Sequence, residues 1–145
     1  IPDREAERSE MKVFLDTNVA IDLMARREPF FGDAKEIFER AAEGGIELLM
    51  TPLSFANIFY LMRKVAGNEK AKRDLSALRV VVTIVHMNDR QLDLALSSAG
   101  MDFEDDLQGA AAEGAKADII ITRDTAGYKR SGIPVMTPAA FVRTL

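Results

Sequence analysis

The sequence has 145 residues, 48% of them hydrophobic, a formal net charge of −4, one histidine and no cysteine. A chain of this length is typical of one domain, and it can bury about two thirds of the surface that its unfolded form exposes. The composition excludes disulfides and thiolate metal sites, and a single histidine argues against histidine-based metal sites and serine–histidine catalysis. The net charge argues against general electrostatic binding of nucleic acid, although a local basic groove is compatible with it.

The first ten residues, IPDREAERSE, are charged and lack the apolar segment of a signal peptide. We expect residues 1–10 to form an extension that is disordered or helical, or that was added during cloning, and residues 11–145 to form one domain. No apolar run reaches about 18 residues, the length of a membrane-spanning helix, so we expect no membrane association. Because it lacks cysteine, the sequence favours the reducing cytoplasm as its location.

Short apolar runs alternate with helical patterns from residue 11 onwards. Runs rich in β-branched and apolar residues predict strands at residues 12–15, 46–50, 80–85, 118–122 and 134–136. Apolar residues at helical spacing predict helices after residue 16, over residues 33–43, 53–66 and 69–78, after the capping box at residues 88–91, over residues 105–115 and from residue 138. This alternation predicts a three-layer α/β/α sandwich around a mostly parallel sheet.

Acidic residues stand where the predicted strands end, which is where parallel sheets bind ligands. Asp16 follows the first strand, Asp124 lies just beyond the fourth, and residues 102–106 (DFEDD) open the helix that leads into it. If the sheet is wound as predicted, these carboxylates converge, and their pKa values rise unless a counter-charge is bound. Oxygen ligands without histidine or cysteine favour Mg²⁺ or Mn²⁺ over zinc.

Each of these acids also has a structural interpretation. Asp16 or Asn18 can cap the helix after the first strand, and the acids at 102–106 can complement the dipole at a helix N-terminus. Asp124 can be an ordinary turn residue. Three unrelated caps and turns need not fall on the same side of a sheet, so their joint placement favours a shared site.

Four segments together resemble a PIN domain of the type found in VapC-like toxins of bacterial toxin–antitoxin pairs. FLDTNVAIDL resembles the family's opening strand and first acid, and TPLSFANIFYLMRK resembles the helix that carries the second acid. DFEDDLQGAAAEGAKADIIITRD is similar to the segment with the third and fourth acids, and IPVMTPAAFV to the closing strand and helix. The resemblance spans residues 11–145 and implies a PIN-like fold and a Mg²⁺- or Mn²⁺-dependent endoribonuclease.

The resemblance also implies which residues form the site. The catalytic, metal-binding acids would be Asp16, Asp105 and Asp124, and the supporting residues would be Asn18, Asn57, Asp102 and Thr122. Basic residues that we expect at the pocket rim, as candidate phosphate contacts for RNA, are Arg26, Arg27, Arg63, Lys64, Lys129 and Arg130. Arg123, beside the acids, can instead neutralise them when no metal is bound.

Two positions depart from the family pattern. Asn57 stands where the family usually has glutamate, and Gly127 stands where an aspartate commonly follows the turn. Fewer charged oxygens bind a divalent cation less tightly. The alternative function is therefore a weakened PIN-like domain that binds RNA or a protein partner without efficient cleavage. The protein partners that the resemblance implies are a cognate antitoxin and a second copy of the chain, in a homodimer.

Overall fold

The structure, a computed structural model, describes residues 10–145, so the extension expected before residue 10 lies outside the described residues. Within this range the chain forms five strands, β1 (Met11–Leu15), β2 (Ile46–Met50), β3 (Thr83–Ile84), β4 (Ile119–Ile121) and β5 (Val135–Met136). The same residues form seven α-helices: α1 (Thr17–Met24), α2 (Phe31–Glu43), α3 (Pro52–Ala66), α4 (Asn68–Val81), α5 (Asp89–Ser97), α6 (Phe103–Gly114) and α7 (Pro138–Val142). A 3₁₀ helix spans Thr125–Tyr128.

The five strands form one parallel sheet in the order β3-β2-β1-β4-β5. Both faces of the sheet are buried, because Val13 and Leu15 of β1 belong to one apolar cluster and Phe14 belongs to another. Strands covered on both faces need apolar residues at successive positions, which explains the nearly continuous apolar runs in the sequence. The predicted α/β/α sandwich with a parallel sheet is therefore confirmed.

The third predicted strand is the largest difference between the sequence-based elements and the structure. Residues 80–85 were expected to be extended, but Val80 and Val81 complete α4. Only Thr83 and Ile84 pair with β2, opposite Leu49 and Met50, so β3 has two residues. The β-branched composition misled the prediction, because intrinsic propensity is a weak preference that a preceding helix can override.

Capping side chains fix several helix starts. Asp16 caps α1, Thr51 caps α3 and Asp102 caps α6, each by accepting a hydrogen bond from a backbone N–H of the first turn. The predicted capping box at the start of α5 is present, and Thr137 caps α7, the helix predicted from residue 138. Of the helices in residues 10–145, none combines the length and the apolar character of a membrane span.

Candidate functional site

Asp16 follows β1 at the carboxyl edge of the sheet, the edge at which the parallel strands end. Its Oδ1 accepts a hydrogen bond of 2.7 Å from the backbone N of Thr17. Its Oδ2 accepts one of 2.7 Å from Oγ1 of Thr122 and one of 3.3 Å from Nδ2 of Asn18. The carboxylate is thus both the cap of α1 and a buried group held in one orientation, with 8% of the residue exposed.

The turn after β4 is tied to Asp16 because β4 pairs directly with β1. The backbone N of Asp124 donates to Oγ1 of Thr122 at 3.0 Å. Oδ1 of Asn18 accepts from the backbone N of Arg123 at 3.3 Å. Thr122 and Asn18 therefore place the turn carrying Asp124 beside Asp16, although Asp16 and Thr122 are 106 positions apart in the chain.

Asp105, in the first turn of α6, reaches the same edge and lies against Gly127 of the 3₁₀ helix. A methyl group added at Gly127 would overlap Oδ2 of Asp105, and it would lie 3.0 Å from Cγ of Asp105 and 3.3 Å from Oδ2 of Asp124. Because the same added methyl carbon lies close to both atoms, Cγ of Asp105 and Oδ2 of Asp124 are at most about 6.3 Å apart, the sum of the two distances. The absence of a side chain at residue 127 thus lets the two carboxyl groups adjoin one another.

The electrostatics of Asp105 show how closely the acids are grouped. Its pKa is raised to about 7, first because the carboxyl group is half-buried and then because of the charges of Asp16, Asp102, Asp124 and Glu104. Desolvation and like charge both disfavour ionisation, and a bound cation would relieve both effects. The structure therefore brings together the three acids that the sequence singled out. We call the space that Asp16, Glu104, Asp105 and Asp124 border the acidic pocket.

A fourth acid at the pocket, Glu104, was not among the predicted site residues. Its Oε1 accepts a hydrogen bond of 2.5 Å from Nδ2 of Asn57, on α3. Partial burial raises the pKa of Glu104, as does the charge of Asp102, whereas the hydrogen bond from Asn57 lowers it. The helix position that carries an acid in the family pattern therefore holds an amide here, and that amide binds an acid from α6.

A buried chain of polar side chains lies behind the pocket and joins α1, α3 and α6. Oγ1 of Thr51 donates to Oε1 of Gln108 at 2.7 Å, and Nε2 of Gln108 donates to Oγ of Ser54 at 2.7 Å. The hydroxyls of Ser54 and Thr17 are 2.8 Å apart and share a hydrogen bond. Sequence reasoning missed Gln108, although a glutamine on the inward face of an alanine-rich helix is an available signal.

Arg123 does not pair with the acids of the pocket, so the expectation that it neutralises them is wrong. Its Nε and Nη2 donate to the two oxygens of Asp22 at 2.6 and 3.2 Å. The guanidinium also lies 4.1 Å from the centre of the Phe30 ring. Asp22 is only 1% exposed, and a buried carboxylate requires a counter-charge more strongly than one that water can reach.

Two of the six predicted basic residues lie near the acidic pocket. Arg130 lines a cavity of about 180 Å³ that Asp105 and Gly127 also line. Lys129, its neighbour, is the C-cap residue of the 3₁₀ helix, which begins after Asp124. Phosphate groups that approach the acids from this cavity would therefore meet positive charge.

The other four basic residues lie at the far ends of helices that begin at the pocket. Arg63 and Lys64 occupy the last turn of α3, about 10 Å along the helix axis from Asn57, the α3 residue that contacts Glu104. Arg26 and Arg27 follow the last residue of α1, and the Arg26 guanidinium lies over the ring of Phe31 at 5.7 Å. The structure does not gather these four residues at the acids.

A divalent cation suits the donors of the acidic pocket, which are carboxylate, hydroxyl and amide oxygens. As placed, the side chains of residues 10–145 include no group of three or more acidic or histidine residues already arranged around one ion. The donor chemistry therefore fits a divalent cation, and this fit rests on the types of donor and not on a preformed coordination shell.

These observations define the class of the domain: a parallel α/β/α sandwich with grouped acids at the carboxyl edge of its central strands. Comparison with protein-family models matches residues 12–126 to the PIN domain, and the chain belongs to the PIN-domain family. The resemblance drawn from the sequence is thereby confirmed. No curated protein sequence matches the chain.

Solved structures of toxin–antitoxin systems share the fold. VapBC-1 from nontypeable Haemophilus influenzae has a TM-score of 0.69 at 20% identity, with 89% of this chain and 99% of that chain covered. A toxin–antitoxin complex from Klebsiella pneumoniae has a TM-score of 0.65 at 21% identity, with coverages of 87% and 97%. VapC20 from Mycobacterium tuberculosis, a sarcin–ricin loop cleaving toxin, has a TM-score of 0.60 at 16% identity, with coverages of 74% and 86%. At these identities the likeness establishes the fold.

Proposed function

We propose that this PIN domain is an endoribonuclease of the VapC toxin type that hydrolyses RNA phosphodiester bonds with Mg²⁺ or Mn²⁺. The observation that carries the proposal is the convergence of Asp16, Asp105 and Asp124. Burial first, and then the charges of the neighbouring acids, raise the pKa of Asp105 to about 7. Such crowding is unfavourable unless a cation is bound. Membership of the PIN-domain family supports the proposal, as does the fold shared with a toxin that cleaves the sarcin–ricin loop.

In this proposal the three aspartates hold the cation, and the supporting residues are Asn18, Asn57, Asp102 and Thr122. A bound divalent cation supplies Lewis acidity, which lowers the pKa of water and stabilises negative charge on phosphate. Thr122 and Asn18 fix the orientation of the Asp16 carboxylate through the hydrogen bonds described above. Asn57 holds Glu104 of α6 at the pocket through a hydrogen bond. Glu104 thereby supplies, next to α3, part of the negative charge that the family pattern places on α3.

Substrate RNA would reach the acids through positive charge on the pocket rim. Lys129 and Arg130 are the basic residues best placed to meet the phosphate adjoining the cleaved bond. Arg26, Arg27, Arg63 and Lys64 lie farther away and would contact more distant phosphates of a long RNA. Contacts of this kind are electrostatic, so RNA binding should weaken as the salt concentration rises.

Solved structures that share the fold support a cellular setting for the proposal. Two of the solved structures are toxin–antitoxin assemblies, which supports a cognate antitoxin as the protein partner. We further propose that the chain forms a homodimer and acts in the cytoplasm, where RNA is available and where a protein without cysteine needs no oxidising environment.

A second candidate function is a PIN domain that binds RNA or a protein partner without efficient cleavage. Asn57 and Gly127 favour it, because the pocket has an amide and a glycine at two positions where the family pattern has acids. Fewer anionic ligands weaken cation binding, and catalysis would weaken with it.

A ribonuclease assay on purified protein distinguishes the two candidates. We expect cleavage with Mg²⁺ or Mn²⁺, none with chelator, and a loss of more than about 100-fold in Asp16→Asn. Asp118→Asn is the matched control, because Asp118 caps the opposite edge of the sheet, where it accepts from the backbone N of Lys12. Full activity in Asp16→Asn would refute the proposed site. RNA binding without cleavage by the unmodified protein would establish the second candidate.

A further inference from the structure

Tyr128 is a buried tyrosine whose hydroxyl group makes no hydrogen bond to the described residues 10–145. The residue is 2% exposed, ends the 3₁₀ helix, and belongs to the apolar cluster that contains Phe14 and Ile120. Among residues 10–145, its hydroxyl oxygen is the only buried side-chain nitrogen or oxygen without a hydrogen-bond partner. Buried polar groups are almost always paired, so phenylalanine would suit the apolar surroundings better unless the hydroxyl has a partner in the working protein.

The surroundings of the hydroxyl indicate what that partner would be. Burial raises the pKa of Tyr128 above its usual range, and the charges of Asp16, Asp105 and Glu104 raise it further. A tyrosine hydroxyl is a hydrogen-bond donor at neutral pH, and this one lies where it can donate into the acidic pocket. The Asp16 carboxylate lies close enough to the hydroxyl to raise its pKa as a hydrogen-bonding neighbour as well as by its charge, but the contact falls short of hydrogen-bond geometry. The oxygens of Asp16 accept instead from Thr17, Thr122 and Asn18.

We infer that the Tyr128 hydroxyl is a ligand-binding group of the acidic pocket, which donates a hydrogen bond to a water molecule held there together with the divalent cation. This inference rests on the proposed function, because it requires a cation at Asp16 and Asp105. Within the part of the chain that the structure describes, this buried donor has no protein partner, and an oxygen acceptor that enters the pocket would supply one. A hydroxyl of this kind is expected to contribute more to ligand binding than to the stability of the fold.

Calorimetric titration with Mn²⁺, combined with thermal unfolding of the metal-free protein, tests the inference. Tyr128→Phe should weaken Mn²⁺ binding by about fivefold, the effect of losing one hydrogen bond. The same variant should raise the melting temperature of the metal-free protein by about 3 °C, because an unsatisfied buried group is removed. Tyr60→Phe is the matched control, since Tyr60 is 55% exposed on α3, and should leave both quantities unchanged.

Failure of the inference differs from failure of the proposed function. If the unmodified protein does not bind Mn²⁺, or if Asp16→Asn binds it equally well, the proposed cation site is wrong and the inference falls with it. If the unmodified protein binds Mn²⁺ through Asp16 but Tyr128→Phe binds it with the same affinity, only the inference is overturned. A lower melting temperature in Tyr128→Phe would also overturn it, because the hydroxyl would then be part of the fold.

The tyrosine spectrum provides an independent readout. The chain has two tyrosines and no tryptophan, so in Tyr60→Phe protein only Tyr128 absorbs in the near-ultraviolet as tyrosine. A new hydrogen bond from the phenol should change this absorption as Mg²⁺ is added, with the same midpoint as the calorimetric titration with Mg²⁺. The double variant Tyr60→Phe/Tyr128→Phe should show no such change. An unchanged spectrum at saturating Mg²⁺ would refute the inference.

Discussion

Removing the charge of Asp105 should stabilise the metal-free protein in a pH-dependent way. The pKa of this residue rises from 3.8 to about 7 on folding, because of burial and then the neighbouring acids. Below about pH 4 the carboxyl group is protonated in both the folded and the unfolded state, and Asp105→Asn should change stability little. Between about pH 4 and pH 7 the unfolded state has lost the proton and the folded state retains it, so the free energy of unfolding falls as the pH rises.

The size of the effect follows from the shift and from the exposure of the side chain. A shift from 3.8 to about 7 would correspond to about 4 kcal/mol at about 1.4 kcal/mol per pKa unit. The carboxyl group is only half-buried, and solvent screening reduces the contribution of such a charge. We therefore expect Asp105→Asn to raise the free energy of unfolding by about 1–2 kcal/mol above pH 7 and by almost nothing near pH 4.

Urea unfolding at about pH 4 and about pH 8, with chelator present, measures this difference. Asp93→Asn serves as the control, because Asp93 is exposed on α5, and it should change stability by less than about 0.5 kcal/mol. Adding Mg²⁺ at the higher pH should stabilise the unmodified protein more than the variant and close the gap between them. An equal difference between the two proteins at both pH values would refute the electrostatic explanation.

Three further predictions follow from the contacts of the site. Asn57→Glu places a carboxylate against Glu104, so it should raise Mn²⁺ affinity while lowering the stability of the metal-free protein; calorimetry showing no gain in affinity would contradict the assignment of Asn57 to the pocket. Arg123→Met leaves the buried Asp22 without its partner and should lower the free energy of unfolding by about 3–5 kcal/mol in urea titrations, with a loss below about 1 kcal/mol arguing against that pairing. Arg130→Ala, measured in a non-cleaving variant, should reduce the log–log salt dependence of RNA binding by about one unit, and an unchanged slope would remove Arg130 from the substrate path.

The fold was predictable because its signals are local. Apolar runs at successive positions identified four of the five strands within about two residues, and the capping box at Asn88 identified the start of α5. The exception, residues 80–85, shows the limit of composition. Val80 and Val81 favour a strand by their chemistry, but the helix that begins at Asn68 continues through them.

The grouping of the acids was also predictable, because it follows from topology. Once β1 and β4 are neighbours, the residues that follow both strands must share an edge, which brings Asp16 and Asp124 together. The specific pairs were not predictable. Asn57 and Glu104 are 47 positions apart, and Asp22 and Arg123 are 101 positions apart. No local sequence pattern predicts that Arg123 pairs with the buried Asp22, or that the hydroxyl of Tyr128 lies beside a cluster of carboxylates.

The pairing of β1 with β4 has a consequence for how the protein is made. A ribosome releases the chain in order, so a nascent chain that has not yet passed residue 119 already carries Asp16 but neither Thr122 nor Asp124. The hydrogen bond from Thr122 to Asp16, and the turn that completes the cluster, appear only with the final quarter of the polypeptide. Translation products that stop before residue 122 would therefore lack the complete acidic pocket.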